Sequence, residues 1–280
     1  MEKITINGDP ADITLETEKT VGELLSGIDA WLSGSGVFIS GLELDGKNYG
    51  APAMDDAFKL SLDEVGYVNV KTSGWAELFI EALAALKGEA PYIEKAQAEE
   101  RRLFLSEWEE SPACAFLEKN APEIRSAFVQ FLSGSLTHQA FVSLIDERLG
   151  ELCDPGTEMK GIVPLCGEIA TRLENLPLDM QTGKDGRAAE TIVLFSAMAE
   201  KIFRLFLLAK YYGFDAGDFK ELIEDFGAAV KELLAAYENK DTVLMGDLAE
   251  YELAPRLLNL SKVLYDFSLS QEILLSRKEG

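Results

Sequence analysis

The chain has 280 residues, of which 47% are apolar and 27% are charged, and its formal net charge at pH 7 is −23. The apolar content suffices for a folded core and excludes a disordered protein. The excess of Asp and Glu repels phosphate backbones and anionic lipids, which argues against nucleic acid or a membrane surface as a partner. A chain of this length usually divides, so two domains are expected.

The cysteines and the apolar stretches favour a cytoplasmic protein. Cys114, Cys153 and Cys166 are odd in number and far apart, which is typical neither of a disulfide framework nor of a CxxC site. Charged residues interrupt the first ten positions, so no signal peptide is expected there. Residues 191–214 form the longest apolar stretch, but four charged side chains within it argue against a membrane span.

The first 72 residues have the alternating pattern of β-strands, interrupted by one helix. Alternating apolar residues flank the turn sequence Asn-Gly-Asp-Pro at 7–10, which predicts a hairpin. Thr20 and Glu23 have the spacing of a capping box at the start of a helix. An Asp-Gly turn at 45–46 ends the next predicted strand. The predicted order is two strands, one helix and three strands, at residues 4–6, 13–15, 21–32, 37–44, 58–62 and 67–70.

This segment resembles the ubiquitin-like β-grasp superfamily, in particular the small bacterial sulfur-carrier proteins. Their helix also opens with a Thr-Val-x-Glu-Leu-Leu run, which stands here at residues 20–25. The resemblance implies a β-grasp fold, and in the carriers it implies a free C-terminal Gly-Gly whose carboxylate is activated. Here Thr72-Ser73-Gly74 continues directly into a predicted helix. We therefore expect a docking surface rather than a carrier.

From residue 73 onward, apolar residues recur every three to four positions, which predicts helices throughout. Ser73 is the expected N-cap of the first helix, and Gly88 is its expected end. Residues 154–156 and 175–186 are expected to be loops, and Pro255 is expected to bend the last helix. The predicted helices are 74–88, 90–108, a short helix from 112, 122–134, 136–152, 159–173, 187–212, 219–237 and 241–267.

Together these patterns predict an α+β protein with two domains. Residues 1–72 are expected to form a small β-grasp-like (ubiquitin-like) domain, and residues 73–280 a large all-α helical bundle. Both parts are acidic, because residues 1–73 contain five Lys or Arg against 13 Asp or Glu, and the remaining residues contain 21 against 36. Such a charge keeps a protein dispersed, and it also steers a basic partner protein.

The sequence contains no complete catalytic or metal-binding motif. His138 is the only histidine, so neither a Ser-His-Asp triad nor a di-iron bundle can be built around it. Residues 182–186 resemble a phosphate-binding loop, but Leu178 and Asp185 occupy the positions where a Walker loop requires Gly and Ser or Thr. We interpret this stretch as a glycine-rich connection, with a weak anion site as the alternative. No catalytic residue, cofactor or metal ligand is assigned.

One group of residues is a candidate buried polar or binding cluster. It comprises Arg204, Asp247, Glu250 and Tyr251. On a helix, Asp247 shares a face with Leu244 and Tyr251, so its carboxylate is expected to point into an apolar seam. A buried acid needs a partner, and Arg204 is one candidate, although Glu200 is an alternative partner for that arginine. The cluster is either a structural ion-pair network or a perturbed acid in a functional cleft.

These observations favour a non-enzymatic cytoplasmic adaptor or regulatory protein that binds another, possibly basic, protein. One alternative is an enzyme or small-ligand binder with a pocket near Asp247 and Glu250 in the helical body. Another is an acidic mimic of nucleic acid that occupies a basic surface. The sequence does not indicate the oligomeric state.

Overall fold

A computed structural model describes residues 3–15, 17–49, 54–212 and 217–278. A small mixed sheet of five strands is followed by a large helical body, which confirms the α+β prediction. Contacts divide the chain into two compact units, residues 1–149 and 150–280. The first unit therefore contains the sheet together with several helices. The expected domain boundary after residue 72 stays a prediction.

The sheet has a parallel pair of strands at its centre and antiparallel pairs on either side. Its order is β2-β1-β5-β3-β4, with β1 parallel to β5. The strands β2 and β4 therefore form the two edges. The strands are β1 Lys3–Ile6, β2 Asp9–Pro10, β3 Val37–Leu44, β4 Lys47–Tyr49 and β5 Tyr67–Gly74.

Two of the predicted strands, 13–15 and 58–62, are wrong. In both cases a tight turn lets the next strand begin directly after it, earlier in the chain than expected. Asn7 (φ 52°) and Gly8 (φ 86°) turn the chain in two residues, so that Asp9 already pairs with Ile6. Residues 45–46, both with positive φ, likewise place a strand directly after the Asp-Gly turn. The stretch 58–62 instead contains the end of a short helix, α2 (Met54–Phe58), and the first residue of a 3₁₀ turn.

A well-capped helix, α1 (Val21–Leu32), packs on one face of the sheet. The hydroxyl of Thr20 accepts the Glu23 N–H at 3.3 Å, and the Glu23 carboxylate accepts the Thr20 N–H at 3.1 Å, which confirms the capping box. The N–H of Lys19, also bound to this carboxylate, is the main reason that the pKa of Glu23 is lowered. The buried residues of the helix and sheet are Val21, Leu24, Leu25, Ile28 and Leu32 with Ile4, Leu42, Leu44, Val68 and Val70.

The sheet passes into the helices without a linker. Gly74, one residue later than expected, is the N-cap of α3, and the Glu77 carboxylate accepts its N–H at 2.8 Å. An aromatic core of Phe residues joins the helices of the first unit, and Phe79, Phe128 and Phe141 are fully buried. The helices are α3 Trp75–Lys95, α4 Ala98–Glu109, α5 Pro112–Asn120, α6 Pro122–Leu132 and α7 His138–Cys153.

The first long helix does not end at Gly88. It continues through Pro91 to Lys95, and the break falls at residues 96–97. The buried residues Leu86, Ala90 and Ile93 keep one apolar face on both sides of the glycine. Continuous burial of this face outweighs the weak helix propensity of one glycine, which costs about 1 kcal/mol relative to Ala.

The second unit is made of helices separated by very short connections. Asp154 alone separates α7 from α8, and its carboxylate caps α8 by accepting the Thr157 N–H at 3.1 Å, so the loop expected at 154–156 is wrong. The expected connection 175–186 contains a helix. The elements are α8 Pro155–Glu174, α9 Leu176–Gln181, α10 Asp185–Tyr211, α11 Gly217–Glu238, α12 Thr242–Asp247, a π-helix Leu248–Leu253 and α13 Ala254–Lys278.

The predicted bend at Pro255 is a change of helix type. The N–H of Ala254 bonds to the carbonyl of Ala249, five residues earlier, in the π-helix that precedes the proline. Proline lacks an N–H and its ring crowds the carbonyl four residues back, so a local π-turn relieves the conflict while the chain stays helical. The π-helix packs against α8 and α11, in the core of the second unit.

Substitution of Gly88 by Ala tests the continuous course of α3. Ala at position 88 meets no atom within 4 Å. We expect the free energy of unfolding to rise by roughly 0.5–1 kcal/mol, because Ala is the better helix former. Urea unfolding followed by tryptophan fluorescence reports on this unit, since all three tryptophans lie in it.

Gly134→Ala is the matched control for this test. Gly134 follows α6 with φ 79°, where Ala is strained and is expected to lower stability by roughly 1–2 kcal/mol. If Gly88→Ala were destabilising like the control, Gly88 would be a helix-ending glycine after all.

Candidate functional site

Arg204 forms a two-point ion pair with a buried glutamate of the same unit. Its Nε and Nη2 donate to the two carboxylate oxygens of Glu151 at 2.9 and 2.7 Å. Glu151 is fully buried, and Arg204 is one-fifth exposed. One turn earlier on α10, Lys201 contacts Glu158 at 2.7 Å. The expectation that Arg204 pairs with Asp247 or Glu200 is therefore wrong, because α7 and α8 supply the acids that face α10.

We expect Glu151→Gln to destabilise the second unit by on the order of 3 kcal/mol. The substitution replaces the fully buried carboxylate that pairs with the mostly desolvated Arg204 guanidinium by a neutral amide. Urea unfolding followed by far-UV circular dichroism measures the loss. The control is Glu224→Gln, because Glu224 forms an exposed pair with Lys220 on α11. This control is expected to change stability by less than about 0.5 kcal/mol. Equal effects of the two substitutions would contradict a buried pair.

The remaining members of the predicted cluster lie on a surface of the second unit. Asp247 is exposed, Glu250 is half-buried and Tyr251 is 65% exposed. The pKa of Tyr251 is raised, mainly because its hydroxyl forms a hydrogen bond with the Glu250 carboxylate. The shared face of Leu244, Asp247 and Tyr251 turns to solvent, since Met245, Leu248 and Ala249 take the buried positions. The expected burial of the Asp247 carboxylate is therefore wrong. Whether the cluster binds a ligand stays a prediction.

Asp247 nevertheless lines a cavity of about 590 Å³ in the second unit, which we call the C-terminal cavity. Its wall includes Tyr237, Glu238, Lys240 and Val243 from the end of α11 to α12, together with residues of α9 and α10: Leu176, Pro177, Met180, Gln181, Asp185, Ala188, Ala189 and Ile192. Thr242 and Met245 complete it. Sequence analysis gave a pocket near Asp247 and Glu250 as an alternative, but it did not identify the wall formed by α9, because α9 falls in a stretch that was expected to be a loop.

A close approach of backbone and side chain shapes one wall of this cavity. A Cβ atom on Gly246 would lie 3.1 Å from Cβ and Cγ of Pro177, so any other residue at 246 would require α9 and α12 to move slightly apart. The start of α9 is thereby held next to the residue that precedes Asp247. The cavity wall is therefore a packed part of the second unit.

A larger groove of about 810 Å³ lies in the first unit, between α1 and the chain that leads from β2. We call it the N-terminal groove. Trp31, at its rim, is 72% exposed. Its charged lining residues, among those the structure describes, are all acidic: Asp9, Asp12 and Glu18. The other lining residues are Ile6, Pro10, Ala11, Ile13, Thr14, Leu15, Leu24, Gly27, Ile28, Leu32 and Thr72.

Sequence analysis did not identify the N-terminal groove, although one signal was available. Trp31 follows Leu24 by seven residues and Ile28 by three, so it extends the apolar face of α1. A large aromatic residue at the end of that face is a signal of a surface contact. The groove itself depends on residues 11–15, of which 13–15 were expected to form a paired strand.

The other residues that sequence analysis singled out lie close to oppositely charged side chains. The Nδ1 atom of His138 lies 4.0 Å from a carboxylate oxygen of Glu94. In the glycine-rich connection, Lys184 and Arg187 both contact the buried carboxylate of Asp179, at 3.4 and 3.3 Å. Lys184 is the lysine that a phosphate-binding loop would direct to its ligand, and here it contacts Asp179 instead. The connection therefore acts as an ion-paired link from α9 to α10.

The cysteines are free thiols, as their spacing suggests. Cys114 and Cys166 are buried, and Cys153 is exposed. Burial raises the pKa of Cys166 to about 11, so this thiol stays protonated at neutral pH. Within the described ranges, no three His, Cys, Asp or Glu residues are grouped so as to hold a metal ion. No helix formed by these residues combines the length and apolar character that crossing a bilayer requires.

In comparisons with known proteins, two family models match separate parts of the chain. A family model described as the TP0873 N-terminal domain matches residues 3–73, which form the mixed sheet and α1. A second model, a domain of unknown function (DUF8042), matches residues 157–263, in the helical second unit. The fold is thus a mixed-sheet domain, similar to the TP0873 N-terminal domain, followed by a helical body.

A similar curated protein is an uncharacterized protein of Treponema pallidum (strain Nichols). It is 30% identical over 95 residues, which are 32% of this chain and 48% of that protein. The chain therefore spans about half the length of this relative. No solved structure matches the chain.

Proposed function

We propose that this protein is a cytoplasmic adaptor or regulatory protein, and that it binds a partner protein through the N-terminal groove. The observation that supports this proposal is the exposure of Trp31 beside an apolar groove of about 810 Å³. An exposed aromatic residue at the edge of an apolar depression is the usual form of a binding anchor. The volume of the N-terminal groove lies in the range of specific binding sites, roughly 300–1,000 Å³.

The charge of the groove selects a basic partner. Asp9, Asp12 and Glu18 surround an apolar floor, and residues 1–73 as a whole contain five basic against 13 acidic side chains. This field raises the rate at which a basic protein segment arrives and disfavours an acidic one. Apolar contacts on the floor then provide the affinity, because exposed ion pairs contribute little by themselves.

The proposed role also includes a β-grasp fold for residues 1–72. Support comes from the element order β-β-α-β-β-α-β, the parallel pair β1–β5 at the centre of the sheet, and α1 on one face. The last strand continues into α3, where Glu77 caps the helix. This continuity leaves no free carboxylate at the end of the strand, so the unit suits docking rather than group transfer.

Site-specific photocrosslinking tests the proposal. We replace Trp31 with p-benzoylphenylalanine in the full chain, irradiate cells and identify the crosslinked protein by mass spectrometry. The control position is Tyr92, which is 73% exposed on α3 and does not line the groove. A discrete basic partner is expected from position 31 and not from position 92.

The identified partner is then purified and bound directly. Trp31→Ala is expected to weaken binding at least about tenfold, as for a central aromatic anchor, and Tyr92→Ala less than about twofold. Equal crosslinking from both positions, or equal affinities of both variants, would contradict the proposal. A steep loss of binding with salt, together with competition by DNA, would instead favour the acidic-mimic hypothesis.

A second candidate function is small-ligand binding or catalysis in the C-terminal cavity. The observation that favours it is that Asp247 lines a cavity of about 590 Å³ with an apolar wall. Its charged lining residues in the described part of the chain are Asp185, Glu238, Asp247 and one lysine, Lys240. This composition suits an organic cation with an apolar body, since the acids attract the charge and residues such as Tyr237 and Val243 contact the body.

Thermal unfolding with simple probes tests this second candidate. Tryptamine is expected to raise the melting temperature of the full chain, and benzoate is not. Ala189→Trp, which fills part of the cavity from an exposed position, is expected to remove the tryptamine effect. Ala235→Trp, on the exposed face of α11, is the control and is expected to keep it. Identical shifts in both variants would place the binding elsewhere.

A further inference from the structure

We propose that the partner binds the N-terminal groove as an added β-strand, which lies along residues 11–15 and extends the sheet beyond β2. The bound segment is extended and alternates apolar residues with Lys or Arg. This inference rests on the proposed function and specifies the partner's conformation and chemistry. It is argued from the edge of the sheet, the pattern of burial and the charge of the groove.

The first argument is that β2 leaves an open edge. It is the outermost strand on its side, and its paired residues are only Asp9 with Ile6 and Pro10 with Thr5. One further backbone bond joins the Ala11 N–H to the Ile4 carbonyl at 3.1 Å. Beyond it, the backbone groups of residues 12–15 make no hydrogen bond to any described residue. Backbone N–H and C=O groups that have no partner among the described residues are what an added strand requires.

The second argument is that residues 11–15 keep the alternation of a strand. Ala11, Ile13 and Leu15 are half-buried against the core of the sheet domain, and Asp12 and Thr14 are exposed. Along a strand, successive N–H groups point to opposite edges in the plane of the sheet. Since Ala11 points inward to β1, Asp12 and Thr14 point outward. Pro10, which has no N–H, also falls on the outward side, where proline is tolerated.

The third argument concerns the side chains of the added strand. A strand hydrogen-bonded to Asp12 and Thr14 would lie about 4.8 Å away, beside the groove that Ile28 and Trp31 border. Every second side chain of the added strand then faces α1 and enters the apolar groove. The intervening side chains face solvent near Asp9 and Asp12, which suit Lys or Arg.

The charge also distinguishes a partner segment from a second copy of this chain. Two copies that paired along this edge would bring Asp12 of one chain close to Asp12 of the other, and like charges across a strand pair are destabilising. Charged and proline residues on an edge strand are the usual protection against such self-pairing. Asp12 and Pro10 therefore disfavour a homodimer through this edge while leaving it open to a basic strand.

The test uses a fluorescein-labelled peptide of sequence Lys-Val-Lys-Val-Lys-Val-Lys and the full chain. We expect saturable binding by fluorescence anisotropy and slowed hydrogen exchange at the amides of Asp12 and Thr14. Thr14→Pro removes an outward N–H at an exposed position and is expected to weaken binding about tenfold or more, whereas Thr14→Ala is expected to change it less than about twofold. Circular dichroism verifies that both variants are folded.

The outcomes separate this inference from the proposed function. Absence of saturable binding of the lysine peptide, or equal binding by Thr14→Pro and Thr14→Ala, overturns strand addition. Equal binding of a peptide with Glu in place of Lys overturns the basic chemistry. Crosslinking from position 31 tests the proposed function independently. If a partner crosslinks there and Thr14→Pro does not weaken its binding, the groove is still a docking site, and only the added strand is overturned.

Discussion

The first unit depends on the point where β5 becomes α3. Gly74 pairs with Val37 as the last residue of the strand and is also the N-cap of the helix. The next residue, Trp75, donates its N–H to the Gly36 carbonyl at 3.1 Å and its indole N–H to Asn120 at 3.0 Å. Because β5 pairs with both β1 and β3, α3 cannot shift without disturbing the centre of the sheet. The junction therefore fixes the direction in which α3 leaves the sheet.

Local signals in the sequence identified the elements whose ends are determined locally. The Thr20 capping box and the predicted helix starts at residues 112 and 122, where α5 and α6 begin with a proline, are all present in the structure. Each involves backbone groups within four residues of the cap, so neighbouring residues suffice to specify it. The break in periodicity near Thr72 likewise corresponds to the end of β5 and the start of α3.

Signals that depend on distant packing were harder to interpret. Gly88 is exposed, and nothing in its own neighbourhood shows that Leu86 and Ile93 continue one buried face. Residues 175–186 contain two glycines and a proline, yet contacts with α12 stabilise a helix there. For the candidate site, periodicity correctly grouped Asp247 with Leu244 and Tyr251, but it could not tell which face of the helix is buried. The partner of Arg204 is 53 residues away, beyond any local pattern.

The π-helix before Pro255 has a consequence for how the second unit can vary. Its backbone bonds run back five residues instead of four, so the segment holds one residue more than an α-helix with the same number of turns. Because this extra residue is taken up within the segment, removal of one residue from 248–253 would restore α-helical geometry with little rotation of α12, and Gly246 would stay beside Pro177. The ring of Pro255 would then crowd the carbonyl four residues back. The extra residue and the proline are thus coupled, so a deletion in this segment is best tolerated when Pro255 is replaced as well.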